Sequence, residues 1–355
     1  MTPADLSLTV LHAVRRAVDE GVLAVEVPEL VRVERPRAGG RGDYASNVAL
    51  VLARAADATP RHVAELLAER LLPHPDLDRV EITGPGFLNF TLRPDAQQDL
   101  VRAVLLGGQR DGRRDGRPYG HLPPGGAAVQ LVHRADVRAA VTADAVRRLL
   151  VSQGHPVRVA CEDGVDPEWD LLQARTDVAH ARGRLATTVA PLPVPYGAAE
   201  LHRRFGVDAA RWGLLSAAAH DHAKLTDELL HQHERNPLFR VRYAHARARR
   251  LADNADQLGF RGEPLQAVEA PELTALLGDH PAVLLSAARH RAPDRVARHL
   301  EAVADALLAF QHTVLPLGDE KPSVAHRSRL ALAEAAGTVL AGGLSLLGIS
   351  APDQI

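Results

Sequence analysis

The pattern of apolar and polar positions in the first hundred residues predicts a mixture of helices and strands. Apolar residues recur with a helical period in some stretches and alternate with polar residues in others. Gly84-Pro85-Gly86, between two alternating stretches, predicts a tight turn. The predicted elements are helices over 6–20, after Asn47 and from Thr59-Pro60, and strands over 79–83 and 87–92. We therefore predict an α+β domain over residues 1–105.

The next stretch, residues 106–126, is rich in Gly, Pro and Arg and has no apolar period. This composition is typical of a flexible linker, and a basic arm that touches phosphate is the alternative. Strand, helix and strand patterns then follow at 129–132, 137–153 and 157–161. They predict one βαβ unit, the smallest part of a doubly wound nucleotide-binding sheet.

The room left for the rest of such a sheet is small. Only about forty residues, rich in proline around 191–195, separate Cys161 from Leu201. They have space for one or two further elements, so residues 127–197 are predicted to form a reduced Rossmann-like centre. Residues 198–355 have a helical period almost throughout. The predicted helices are 198–218, 222–256, 271–286, 291–313 and 323–347.

The fold class predicted from these patterns is multidomain α/β, with an α+β domain, a βαβ centre and a C-terminal helical bundle. The composition, 46% hydrophobic and 24% charged, is ordinary for a globular protein. No apolar run has the length of a membrane helix, and the N-terminus has no secretory pattern. The single cysteine, Cys161, excludes an internal disulfide, and the 18 histidines are scattered. We expect a cytoplasmic protein without a metal site or cofactor.

The net charge of −2 argues against a surface that is basic all over, although one basic face is enough to bind nucleic acid. One predicted helix carries such a face. Arg235, Arg242 and Arg249 recur every seven residues, and Arg240, Arg247 and Arg250 widen the stripe. This stripe can follow phosphates. Solvated helix surface is the alternative for any single arginine.

Two motifs near the N-terminus carry a resemblance to a known family. Residues 42–49, GDYASNVA, and residues 84–90, GPGFLNF, resemble paired motifs in the N-terminal domain of arginyl-tRNA synthetases, which packs on the tRNA elbow. The resemblance implies that Tyr44 and Phe87 stack on bases and that Asn47 bonds a base edge. A helix cap and core aromatics are the alternative, and we favour the core for Phe87 and Phe90.

Three further segments resemble the helical anticodon-binding domain of the same family. Residues 206–212, GVDAARW, resemble its "DALR" signature, residues 236–247 its central helix, and residues 348–355 its C-terminus. The resemblance implies that Tyr243 lies beside the anticodon loop. The tRNA-binding residues predicted in this domain are Asn236, Arg240, Arg242, Tyr243 and Arg247.

The catalytic signatures of that family are degenerate in this chain. The position of the HIGH motif, where a helix N-terminus and histidines stabilise ATP phosphate, reads His133-Arg134-Ala135-Asp136. A carboxylate at Asp136 would repel phosphate. The KMSK-type loop corresponds to residues 183–191, which contain Arg184 but no lysine. We therefore predict no catalytic residues and no amino-acid activation.

The function that follows from the resemblance is a non-catalytic protein that grips tRNA, with arginine tRNA as the expected ligand. A full-length synthetase is a further expected partner, by competition or pairing; no membrane contact is expected, and the oligomeric state is open. One alternative is an enzyme that uses aminoacyl-tRNA, with His133, Asp136 or Asp144 as acid or base, or that keeps residual arginine–tRNA ligase activity. Another is a helical protein-interaction module that no longer binds RNA.

Overall fold

The computed structural model describes residues 3–36, 41–74, 76–93, 95–107, 109–110, 113–114, 116–178 and 186–355. The chain divides into two compact units, Met1–Leu100 and Val101–Ile355. The predicted centre and the predicted helical bundle lie together in the second unit. The division of this unit into a centre over 127–197 and a helical domain over 198–355 stays a prediction.

The first unit has the predicted α+β architecture. Its helices and strands are α1 (Pro3–Asp19), β1 (Tyr44–Ser46), α2 (Val48–Ala53), α3 (Pro60–Leu71), β2 (Leu77–Thr83), β3 (Phe87–Leu92) and the start of α4 (Ala96–Leu106). The strands form an antiparallel sheet in the order β1-β3-β2. Thr59 caps α3 as predicted, because its hydroxyl accepts from the His62 N–H at 3.3 Å. Leu6, Val10, Leu67 and Phe90 are buried in the core of this unit.

The second unit contains the predicted βαβ arrangement and one more strand. After the short strands β4 (Gln109–Arg110) and β5 (Arg113–Arg114) come β6 (Val129–His133), α5 (Val137–Ser152), β7 (Val157–Cys161) and β8 (Ala186–Val189). The last three strands form a parallel sheet in the order β7-β6-β8, with Leu131 opposite both Val159 and Thr187. α5 is buried on nearly all sides from Val137 to Val146. It is therefore the central helix of this unit.

Five helices complete the unit: α6 (Ala198–Leu215), α7 (Pro237–Gln257), α8 (Pro271–His290), α9 (Asp294–Phe310) and α10 (Val324–Leu346). The predicted helix over 222–256 is wrong in its first half, because α7 begins only at Pro237. Proline has no N–H and its ring collides with the carbonyl four residues earlier, so a helix starts there rather than continuing through it. Across the described part of the chain, no helix is long and apolar enough to cross a membrane.

Candidate nucleic-acid interface and remnant centre

The first N-terminal motif fixes β1 and its flanks to β3. Gly42 has a φ of +77°, and a Cβ there would lie 2.7 Å from the Phe90 carbonyl oxygen. The Asp43 N–H donates to that same carbonyl at 2.8 Å, and the Asp43 carboxylate accepts from the Leu92 N–H at 2.8 Å. The glycine and aspartate of this motif therefore hold the sheet together.

The three residues predicted to touch RNA in this unit have different environments. Tyr44 is only 8% exposed and belongs to the core, so its ring is not available to stack on a base, which corrects the prediction. Asn47 is exposed and makes no side-chain cap bond. Phe87 is 40% exposed, so it does not lie in the core, which is the alternative that we favour for it from the sequence. Phe90 is fully buried, as predicted. Because Ser46 pairs with Leu88, Asn47 and Phe87 lie at the same end of the sheet.

His133, the one histidine left at the HIGH position, is enclosed at the end of β6. Its Nδ1 donates to the Arg134 carbonyl at 2.8 Å, so its Nε2 accepts from the Thr176 hydroxyl at 3.1 Å. The ring lies 5.3 Å from that of Trp169. Burial lowers the pKa of His133. The side chain is therefore a neutral, buried group with both nitrogens used.

Asp136 occupies the N-terminus of α5. Its Oδ1 accepts a hydrogen bond from the Ala139 N–H at 2.9 Å, in extended backbone geometry typical of a helix cap. A free helix N-terminus attracts phosphate through its unpaired N–H groups. In this chain a carboxylate of the protein fills that place. Arg134 and Ala135, just before it, are exposed.

The carboxyl edge of the parallel sheet is acidic. The Glu162 N–H, directly after β7, donates to the His133 carbonyl at 2.9 Å, so the ends of β6 and β7 adjoin. Five of the nine residues from 162 to 170 are exposed carboxylates. In open α/β sheets this edge is where nucleotides bind. In this chain the negative charge of these carboxylates disfavours an anionic ligand at that edge.

Arg138, which the sequence did not single out, is fully buried in the first turn of α5. Its guanidinium donates to five backbone carbonyls at 2.7 to 3.4 Å, those of Leu192, Leu214, Ala217, Ala218 and Asp221. Several of these carbonyls follow the end of α6, where a cation is favourable. Arg138 is therefore a structural clamp between α5 and α6.

Asp144 forms a buried ion pair with Arg211, at 2.8 Å, in which both side chains are fully buried. Arg147 and Arg148 also bind its carboxylate. Burial acts to raise the pKa of Asp144, but the three guanidinium groups outweigh it and the pKa lies below its ordinary value. The carboxylate is thus charged and fully engaged.

The DALR-like segment lies within α6 and bonds to the C-terminal residues of the chain. Arg211 also donates to the carbonyls of Leu347, Leu172 and Gln173 at 2.8 to 3.2 Å. Gly348, with a φ of +70°, has no room for a Cβ, which would lie 2.4 Å from the Arg211 guanidinium. Asp208 accepts from the Ser350 N–H at 3.0 Å. The resembling segments at 206–212 and 348–355 are therefore in direct contact.

On α7, Tyr243 is 41% exposed and its ring stacks on that of Phe239, with 5.7 Å between the centroids. Phe239 is not among the residues singled out from the sequence, although the spacing of four residues on one helix predicts such a contact. Asn236 is buried and caps α7, with its amide donating to the carbonyls of Leu229 and His231. The structure therefore gives Asn236 a structural role.

The predicted basic residues of α7 have partners within the protein. Arg240 binds Asp305 at 3.1 Å, Arg242 lies 3.6 Å from Asp208, and the Arg247 Nε donates to Gln311. The stretch compared with the KMSK loop is only partly described: 179–185, with Arg184, lie outside the described residues, and 186–189 form β8. In the described ranges, no group of His, Cys, Asp and Glu could hold a metal ion.

Comparison with known proteins adds independent findings. Residues 8–92 match the family described as the arginyl tRNA synthetase N terminal domain, and residues 241–355 match the DALR anticodon binding domain. The chain is 28% identical to an arginine–tRNA ligase of Frankia alni and 27% identical to one of Paenarthrobacter aurescens, over all of both chains.

Solved structures give the same fold. The arginyl-tRNA synthetase of Thermus thermophilus has a TM-score of 0.71 at 16% identity, over all of both chains. That of Plasmodium falciparum has a TM-score of 0.66 at 8% identity, over 99% of each. The fold and the matched domains define a protein of the aminoacyl-tRNA synthetase class with a helical anticodon-binding domain. Within that class the chain is an arginyl-tRNA synthetase-like protein.

Proposed function

We propose that this protein binds tRNA and does not activate arginine. The observation that carries the second part is the Asp136 cap. The backbone N–H of Ala139, at the helix terminus where the family binds ATP phosphate, is already bonded to a carboxylate of the chain. An incoming phosphate would have to displace that carboxylate and would be repelled by it.

The size of the centre also supports the loss of catalysis. The alignment with the Frankia alni protein runs over 560 positions, which is 205 more than the 355 residues of this chain. Those positions face gaps in this chain. The two matched domains occupy 8–92 and 241–355, so we infer that most of the missing part lies between them. The acidic edge after β7 further disfavours ATP.

The tRNA-binding part of the proposal is supported by accessible aromatic and polar groups in and beside the matched domains. Phe239 and Tyr243 offer a stacked pair on which an unpaired base can lie. Asn47 and Phe87 lie at one end of the sheet of the other unit. We propose arginine tRNA as the ligand, bound in the cytoplasm in competition with a full-length synthetase.

The enzymatic alternative has no support in the geometry. His133 has both nitrogens bonded, Asp136 caps α5 and Asp144 is bonded to three arginines. The protein-interaction alternative is favoured by one observation, the pairing of the α7 arginines with residues of this chain. The tRNA-binding experiment separates it from our proposal.

Catalysis is tested by arginine-dependent exchange of pyrophosphate into ATP. We expect no exchange above a blank, while a full-length arginyl-tRNA synthetase in the same assay gives the positive control. The Asp136→Ala variant, which frees the helix N-terminus, serves as a second sample and should also be inactive because we infer that much of the catalytic centre is absent. Exchange by the unmodified protein would contradict the proposal.

Binding is tested by retention of total tRNA on filters across a salt series. We expect retention that weakens linearly on a log–log plot as salt rises, because bound phosphates release counterions. If arginine tRNA is the ligand, sequencing of the retained fraction will show it enriched. If the protein retains no tRNA at low salt, the tRNA-binding proposal is wrong and the protein-interaction alternative is favoured.

A further inference from the structure

The arginines of α7 offer less free positive charge than their sequence spacing suggests. Three of them lie in ion pairs with carboxylates of the same unit. The pairs are Arg240 with Asp305 at 3.1 Å and Glu301 at 3.9 Å, Arg242 with Asp208 at 3.6 Å, and Arg249 with Asp353 at 3.1 Å. A phosphate that bound these groups would compete with an existing anion. The phosphate contacts are therefore better sought elsewhere on this unit.

Free positive charge is concentrated at the turn between α8 and α9. Residues 289–298 contain four exposed arginines and one aspartate, a net charge of +3 in a chain whose net charge is −2. The aspartate, Asp294, is paired with Arg298. In the part of the chain that the structure describes, no carboxylate lies within ion-pair distance of Arg289, Arg291 or Arg295. Arg295 instead donates to the Ser286 hydroxyl at 2.7 Å.

This turn borders a groove of about 390 Å³. Arg291, Arg295 and Arg298 line one wall, and the segment after α6 with His220 and Asp221 lines the other. The buried side chains of Arg138 and Thr142 lie at its base. The groove is therefore concave, basic along one wall and built on the clamp between α5 and α6.

Along the helix axes, only a few nucleotide steps separate the groove from Tyr243. α7 and α9 run in the same direction, because Arg240 meets Glu301 and Asp305 while Arg247 meets Gln311. At 1.5 Å per helical residue, the start of α9 and Tyr243 are about 16 Å apart along the helix axes. That is about five steps of 3.4 Å along a nucleic-acid strand.

We propose that the α8–α9 turn, through Arg291 and Arg295, binds the phosphate backbone of the RNA whose base stacks on Tyr243. In this arrangement α7 supplies the aromatic platform, and the turn supplies the electrostatic contact. The inference rests on the proposed tRNA binding and assigns its phosphate contacts to a surface that the sequence did not indicate.

The test compares two variants of the full chain that lose the same charge. The first is Arg291→Gln with Arg295→Gln. The matched control is Arg261→Gln with Arg327→Gln, an exposed and a half-buried arginine outside the groove that form ion pairs with Asp256 and Glu263. Circular dichroism melting first establishes that both variants keep the fold. Filter binding of total tRNA is then measured from low to moderate salt.

We expect the groove variant to reduce the log–log salt slope by about two units, one for each lost phosphate contact. The control should keep the slope of the unmodified protein. Equal slopes for all three proteins, or equal losses in both variants, would overturn the assignment while tRNA binding itself stands. If the unmodified protein retains no tRNA, the proposed function and this inference fail together.

Discussion

At the scale of single residues, the structure separates polar and aromatic side chains that are free to bind from those already used inside the fold. Asn236, Asp136 and Asp144 were candidates by sequence, yet each is bonded to backbone or arginine groups of the chain. Tyr243 is different because it is 41% exposed and has a ring partner beside it. Its availability makes it the residue on which base recognition can be tested directly.

We predict that Tyr243→Ala weakens tRNA binding. Loss of one base–aromatic stack costs about 1–3 kcal/mol, so the dissociation constant should rise by about 5- to 150-fold. Tyr243→Phe keeps the ring and should bind within a few-fold of the unmodified protein. Filter binding at constant salt measures both. Wild-type affinity in the alanine variant would show that this ring carries no base.

At the scale of helices and strands, α5, α6 and the end of α10 are joined through one buried ion pair. Arg211 of α6 reaches both Asp144 of α5 and the Leu347 carbonyl just after α10. A buried pair adds little net stability over apolar packing, but removing one partner leaves the other charge uncompensated. Removing one partner should therefore destabilise the packing of α5, α6 and the end of α10 by more than the pair contributes to stability.

We predict that Asp144→Asn lowers the free energy of unfolding by about 3–5 kcal/mol, because Arg211 stays buried without its carboxylate. The control Asp208→Asn affects a partly exposed carboxylate and should cost about 1 kcal/mol. Trp169 and Trp212, the two tryptophans of the chain, are buried in the second unit, so urea unfolding followed by their fluorescence reports on that unit. A loss below about 1 kcal/mol for Asp144→Asn would contradict the role of the pair.

At the scale of the whole molecule, we expect stability to depend on pH, because histidines are buried between helices. His280 of α8 stacks on His299 of α9 at 5.3 Å, and the His280 Nδ1 and His299 Nε2 have no hydrogen-bond partner in the described structure. Burial lowers the pKa of His299 from 6.5 to about 4. The pKa of His280 also lies well below its ordinary value, through burial and the neighbouring His299 and His121.

We predict that the protein loses stability as the pH falls from 6.5 towards 4. In that window the unfolded chain protonates His299 while the folded protein keeps it neutral, so the unfolded state binds more protons and is favoured. The protonation of His299 alone should lower the free energy of unfolding by about 3 kcal/mol between pH 7 and pH 4. Urea unfolding at pH 7, 6 and 5 measures the effect. His299→Gln should flatten this dependence, and an unchanged slope would exclude His299 as its source.

Local features of the fold could be predicted from the sequence. The Thr59 cap, the hairpin around Gly84-Pro85-Gly86 and the βαβ unit follow from patterns that each involve neighbouring residues. The Asp136 cap, which is not among the caps predicted from the sequence, is also a local feature, since a cap needs only the N–H groups of the next turn. The resemblance to arginyl-tRNA synthetases likewise rested on short segments and is matched by the two family domains.

Only the tertiary structure decided which side chains remain free. Arg240 and Asp305 are 65 residues apart, and Asp144 and Arg211 are 67 apart, so no local pattern pairs them. The burial of Tyr44 and the exposure of Phe87 likewise depend on how the first unit packs around its sheet. Most of the helices and strands, and the resemblance to the family, could be predicted from the sequence alone. Folding determined which arginines keep an unpaired charge, because ion pairing and burial depend on distances that only the folded chain sets.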